Sequence, residues 1–103
     1  MTKSQWSLCV RHPDGRITTK FYRKVKMAEA AAYIAKIAAA DANVWLERTR
    51  GFALYWSGTA WLTVVFAVEG SEPIVKRMDE FAAALRCHDI LYEALAAGVT
   101  IFR

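Results

Sequence analysis

The chain of 103 residues carries 14 Lys and Arg against 10 Asp and Glu, a formal charge of +4, and 55% of it is apolar, with four Trp, four Tyr and five Phe. That length bounds a single domain over residues 1–103, and that composition supplies a core while excluding a disordered chain or a histone-like polycation. The most apolar run, Ala60 to Val68, is far short of the ~20 residues of a membrane helix.

Trp6, Leu8 and Val10 alternate with Ser7, Cys9 and Arg11, and Pro13-Asp14-Gly15 then signals a turn. Ile17, Thr19, Phe21 and Val25 alternate with Thr18, Lys20, Tyr22 and Lys24, so a second strand returns against the first. Matching the apolar sides predicts a register in which paired residue numbers sum to 29, with Val10 opposite Thr19 and Leu8 opposite Phe21.

This hairpin is where the charge gathers. Residues 1–26 hold seven cations, Lys3, Arg11, Arg16, Lys20, Arg23, Lys24 and Lys26, against one acid, Asp14; the remainder holds seven against nine. The expected register places Lys3, Arg11, Lys20, Tyr22, Lys24 and Lys26 on one face, a positive docking surface for an acidic protein or a phosphate backbone.

Met27 to Ala42 reads as a helix rich in alanine, with no Gly or Pro, a buried stripe of Met27, Ala30, Ile34, Ile37 and Ala38, and Asn43 closing it. Its many small side chains suit a close approach to a sheet. Three strands follow as a meander, Val44 to Thr49, Phe52 to Ser57 and Ala60 to Glu69, punctuated by Arg50-Gly51 and Ser57-Gly58-Thr59. Trp56 and Tyr55 must face opposite ways, so Trp45, Tyr55 and Trp61 are expected to contribute an aromatic element to a partner surface.

Arg50-Gly51-Phe52-Ala53 resembles the opening of the ribonucleoprotein signature of RNA-recognition-motif domains, which implies a base-stacking strand. Leu54, Tyr55 and Ser57 depart from that signature, as does the hairpin ahead of the first helix.

Beyond Glu69-Gly70-Ser71-Glu72-Pro73, with Ser71 as N-cap, Ile74, Met78, Phe81, Leu85, His88, Tyr92 and Leu95 recur at helical spacing, predicting a long helix to Ala97 closed by Gly98. Val99 to Phe102 reads as a short edge strand or a tail.

Chemical motifs are sparse. Cys87-His88-Asp89 places nucleophile, base and acid together, but neighbours on a helix diverge by about 100°, so no relay is expected and His88 reads as a satisfied, partly buried histidine. Cys9, His12, Cys87 and His88 have poor zinc spacing because the last two are contiguous. No phosphate loop, paired carboxylates or dinucleotide fingerprint occurs, so neither a catalytic residue nor a cofactor or metal is assigned. The opening Met-Thr-Lys-Ser-Gln-Trp lacks the roughly 7–15-residue apolar stretch of a signal peptide, and two widely separated cysteines suit reduced thiols in a cytoplasm.

The expected fold is a two-layer α+β domain, an antiparallel sheet of about five strands with two helices in the order β-β-α-β-β-β-α and a short final strand. The expected function is a small non-enzymatic protein-binding module that acts by surface occlusion. Phage and other mobile elements encode such inhibitors of host nucleic-acid machinery, anti-CRISPR proteins among them. Its partner residues would be Lys3, Arg11, Arg16, Lys20, Tyr22, Lys24, Lys26, Trp45, Tyr55 and Trp61, with an acidic protein surface as target. Nucleic-acid binding through the same basic, aromatic surface is the alternative, homodimerisation through the aromatic face another, and an enzyme of unknown type the least favoured.

Overall fold

Alternation along the first residues produces the expected hairpin, β1 (Trp6–Arg11) and β2 (Ile17–Tyr22). In this computed structural model, which describes residues 5–49, 51–65 and 72–96, the chain continues through α1 (Val25–Ala38), β3 (Asn43–Thr49), β4 (Phe52–Trp56), β5 (Trp61–Val65), β6 (Ile74–Met78) and α2 (Phe81–Ala96). The strands form one six-stranded sheet in the order β2-β1-β3-β4-β5-β6, antiparallel at every step. Both helices pack on the same face, α1 over β1 and β3 and α2 over β4, β5 and β6. The α+β class and two-helix layer are as expected, with one more strand.

That strand, β6, stands where the sequence suggested the start of the second helix. Ile74 and Met78 are four residues apart, which is one helical turn and also two steps of strand alternation, so periodicity alone put them on one face either way. Pro73 and the β-favouring Ile74-Val75 start, and the bonding edge of β5, decide for the strand. The helix then begins at Phe81, where Ala84 N–H donates to the Glu80 carbonyl at 3.1 Å. Phe81, Ala84 and His88 are buried along its inner stripe, with Leu85 and Tyr92 half-buried beside them. The expected final strand over 99–102 and the proposed cap at Ser71 lie outside the described residues.

The hairpin register differs from expectation by one residue. Trp6 pairs with Tyr22, Leu8 with Lys20 and Val10 with Thr18, so partner numbers sum to 28. Its cause is the turn. Gly15 N–H donates to the His12 carbonyl and His12 N–H to the Arg16 carbonyl, both at 2.8 Å, which closes a three-residue loop with Gly15 at φ +91°. Such a loop, with its left-handed glycine forming a bulge, carries an odd number of residues; the expected register requires an even one. Every β2 side chain is therefore turned to the opposite face.

Helix α1 also turns differently. Ala28 and Ala32 are the buried pair, flanked by Val25, Ala31, Tyr33 and Ala35, whereas Met27, Ala30, Ile34, Ile37 and Ala38 point outward, Ile37 at 82% exposure. Alanines against the strands bring the helix axis close to the sheet; isoleucines there would hold it off and open gaps. The helix stops at Ala38, short of Ala42, and Lys36 Nζ donates to the Ala42 carbonyl at 2.7 Å, tying the connection down before Asn43 opens β3.

Trp61 is the centre of the helix-side core, fully buried against Tyr33, Trp56 and Phe81. Its Nε1 donates to the Tyr33 hydroxyl at 3.0 Å, and that hydroxyl donates to Glu29 Oε2 at 2.6 Å. A buried indole N–H thus finds a partner, as burial in a poorly solvating interior requires.

Candidate interaction surface

Among the described residues no helix lies on the other sheet face, although Cys9, Trp45, Ala53 and Val64 at its centre are buried. Strand alternation and the observed pairings put Ser7, Cys9 and Arg11, Ile17, Thr19 and Phe21, Asn43, Trp45 and Glu47, Ala53 and Tyr55, Leu62 and Val64, and Val75 and Arg77 on it. Only Arg11, Glu47 and Arg77 among these are charged. Phe21 on one edge strand is 64% exposed and Val75 on the other is 51% exposed. A sheet face exposed to water normally alternates to polar residues, so this one is unusually apolar.

Its middle is organised by aromatic stacking. Trp45 and Tyr55 are cross-strand partners with ring centroids 5.3 Å apart and planes at 26°, and the Arg11 guanidinium lies 5.5 Å from the Trp45 ring centre. Trp45 is left 8% exposed, packed with Cys9 and Ala53. Burial, and then the Glu47 carboxylate, push the Cys9 thiol up, which favours its protonated form. Burial also raises the Tyr55 phenol, against the opposing pull of Arg11.

The expected cationic face is not assembled. Arg11 lies on the bare face, whereas Lys20 and Tyr22 lie on the helix side, Lys20 exposed and Tyr22 packed against the core. Arg16 sits in the turn with its guanidinium 3.8 Å from Asp14, and its backbone N–H donates to Asp14 Oδ1 at 2.9 Å, a bond that holds that carboxyl below its ordinary range. Lys24 is the N-cap of α1. Lys26 lines a groove of about 380 Å³ between the helix starts together with Glu29, Asp79 and Glu80, away from the face that holds Arg11. Lys3 lies outside the described residues. Of the expected aromatics, Trp45 and Tyr55 are brought together and Trp61 is core. Ile17, Phe21, Leu62, Val64, Val75 and Arg77 were missed; their two-residue periodicity was visible, but only the hairpin parity and the strand at 74–78 turn them to one side.

Arg50 lies outside the described residues, while Phe52 and Leu54 are buried on the helix side, so the resemblance to a base-stacking strand does not carry over.

Opposite the bare face, a bulge between Glu47 and Thr49 aims Arg48 toward α2. Its guanidinium stands 5.2 Å from the Trp6 ring and 5.3 Å from Tyr92, and its Nη2 donates to Asp89 Oδ1 at 2.9 Å. The same Asp89 oxygen is 3.0 Å from His88 Nδ1, so neighbouring side chains do meet here because the carboxylate reaches back toward Arg48. Cys87 is not part of this contact; it lines a shallow apolar concavity with Met78, Ala83, Ile90 and Leu91. His88 is fully buried among Trp6, Phe52 and Tyr92, and its Nε2 has no hydrogen-bond partner among the described residues, contrary to the expected satisfied histidine. Burial lowers its pKa, with the Asp89 bond opposing. Both thiols are free, no three His, Cys, Asp or Glu side chains cluster for a metal among the described residues, and no described helix is long and apolar enough to cross a membrane.

No family model, no curated protein and no solved structure matches this chain.

Proposed function

We propose that this protein is a non-enzymatic module that binds another protein and acts by covering its surface, with the bare sheet face as the contact. The observation that carries this reading is the exposure of apolar Ile17 and Phe21 at one edge of this face and of Val75 at the other, flanking a nearly uncharged centre in which Cys9, Trp45, Ala53 and Val64 are buried. Exposed apolar side chains of this kind are stabilised by association with a protein of similar chemistry. Arg11 and Arg77 favour a partner with acidic residues around an apolar centre, so the target is an acid-rimmed patch rather than a uniformly acidic one.

Nucleic acid is less well supported. Stacking needs open ring faces, and Trp45 has its own covered by Tyr55 and Arg11. The intended experiment is capture from nuclease-treated native lysate with the wild-type chain, with Phe21→Glu and Leu62→Glu, and with Ile34→Glu on the helix side. A protein retained by the wild type and by Ile34→Glu, and lost by the two sheet-face variants, is the expected result. Retention by all four, or loss of every captured species to nuclease, overturns the reading.

A further inference from the structure

We infer that two copies of this chain pair through the free edge of β2, forming one continuous sheet across a two-fold axis. The two sheet edges differ. Edge strand β6 carries adjacent Lys76 and Arg77 and is preceded directly by Pro73, features that discourage strand addition. Edge strand β2, Ile-Thr-Thr-Lys-Phe-Tyr, has a single charge, no proline and no irregularity in its pairing with β1, and it is exposed along almost its whole length. It is a six-residue template of β-favouring residues with one side unbonded among the described residues.

Backbone direction selects the register. The Arg16 carbonyl accepts from His12 N–H, so it points toward β1. Alternation then turns the backbone groups of Thr18, Lys20 and Tyr22 toward β1 as well, and those of Ile17, Thr19 and Phe21 outward. A second antiparallel β2 can match outward groups with outward groups when Thr19 pairs with the second copy's Thr19 and Ile17 with its Phe21. Each of these pairs exchanges N–H···O bonds in both directions. Side chains agree: an aromatic faces a β-branched residue on either side of a Thr–Thr pair, while Lys20 lies opposite Thr18 and Arg16 opposite Tyr22. Sliding by two residues sets Lys20 against Lys20 in one direction and Arg16 against Lys20 in the other, like charges that disfavour both. Sliding by one points outward groups at inward ones.

The joined sheet would carry one bare face running through both copies, with Ile17 and Phe21 of each at the seam. Pairing does not depend on what covers that face, and either conclusion can fail alone. Sedimentation of the full chain at micromolar concentration should give twice the 11.6 kDa chain mass. Added salt should tighten the dimer by screening the basic hairpins from one another. Thr19→Pro removes an outward N–H without touching the bonds to β1, and Thr19→Lys sets two cations across the axis; both should be monomers with unchanged circular dichroism. Oxidised Cys9→Ser/Thr19→Cys should form a covalent dimer, since a hydrogen-bonded pair spans about 5.5 Å between Cα atoms. A wild-type monomer, or a folded Thr19→Lys variant that still dimerises, overturns the inference. Should Thr19→Pro fail to fold, Thr19→Lys decides.

Discussion

The two faces of the sheet are built from similar side chains and put them to different use. On the helix side Trp61 is enclosed by Tyr33, Trp56 and Phe81, and its N–H enters a hydrogen-bond chain ending on Glu29. On the bare side Trp45 is covered by one tyrosine and one guanidinium, and the apolar residues at both edges stay in water. The difference teaches that hydrophobic content does not by itself identify a core. Under the helices the apolar strand face becomes the main core, while on the other side only a small cluster of Cys9, Trp45 and Ala53 is buried.

Substitutions on the two faces should therefore separate stability from association. The largest effect is expected for Trp61→Ala, whose cavity in a close-packed layer should cost about 3–5 kcal/mol; urea denaturation measures it, and a loss comparable to that of an exposed residue would dissolve the contrast between the faces.

Acid comes next and tests the helix side through His88. Burial lowers its folded pKa below the ordinary 6.5, against the pull of Asp89 and alongside Arg48. Below pH 6.5 the unfolded chain takes a proton that the folded protein refuses, so stability falls as pH drops toward the folded pKa and is level above 6.5. Thermal melts across this range should show that slope in the wild type and a flatter one in His88→Leu, whose side chain has no orphaned nitrogen.

A smaller loss is expected for Thr63→Val. The buried Thr63 hydroxyl donates to the Ala84 carbonyl at 2.8 Å and fastens α2 to β5; removing that bond should cost about 1 kcal/mol by denaturant titration. The smallest stability change, within about 0.5 kcal/mol, is expected for Phe21→Ala because the ring is largely in solvent. Its readout is instead weaker binding of an apolar-surface dye. A large stability loss at Phe21 would mean that the bare face is covered within the monomer.

Much of the fold was legible because it rests on short-range physics. Alternation located β1 and β2, alanine content located α1, the glycines at 51 and 58 marked hairpin turns at φ +89° and +99°, and the stripe from Phe81 to Tyr92 faced inward as its spacing implied. The candidate surface was much less legible. Arg11 and Lys20 were expected on one face and occupy two, because a single odd residue in the 13–15 loop reverses a whole strand. Met27, Ile34 and Ile37 form a regular apolar stripe, yet Ala28 and Ala32 won the sheet because small residues pack closer. Ile74 and Met78 satisfy helix and strand spacing alike, and the free edge of β5 settled the choice.

The amino-acid order alone thus determined most of the bends, which segments coil or extend except 74–78, and that one domain with an antiparallel sheet and two helices results. Tertiary structure decided which side of each element meets another layer and which remains in water. Those outcomes depend on loop parity, close packing between alanines and strands, and pairing across long sequence separations, and none of these is a property of a local stretch of residues.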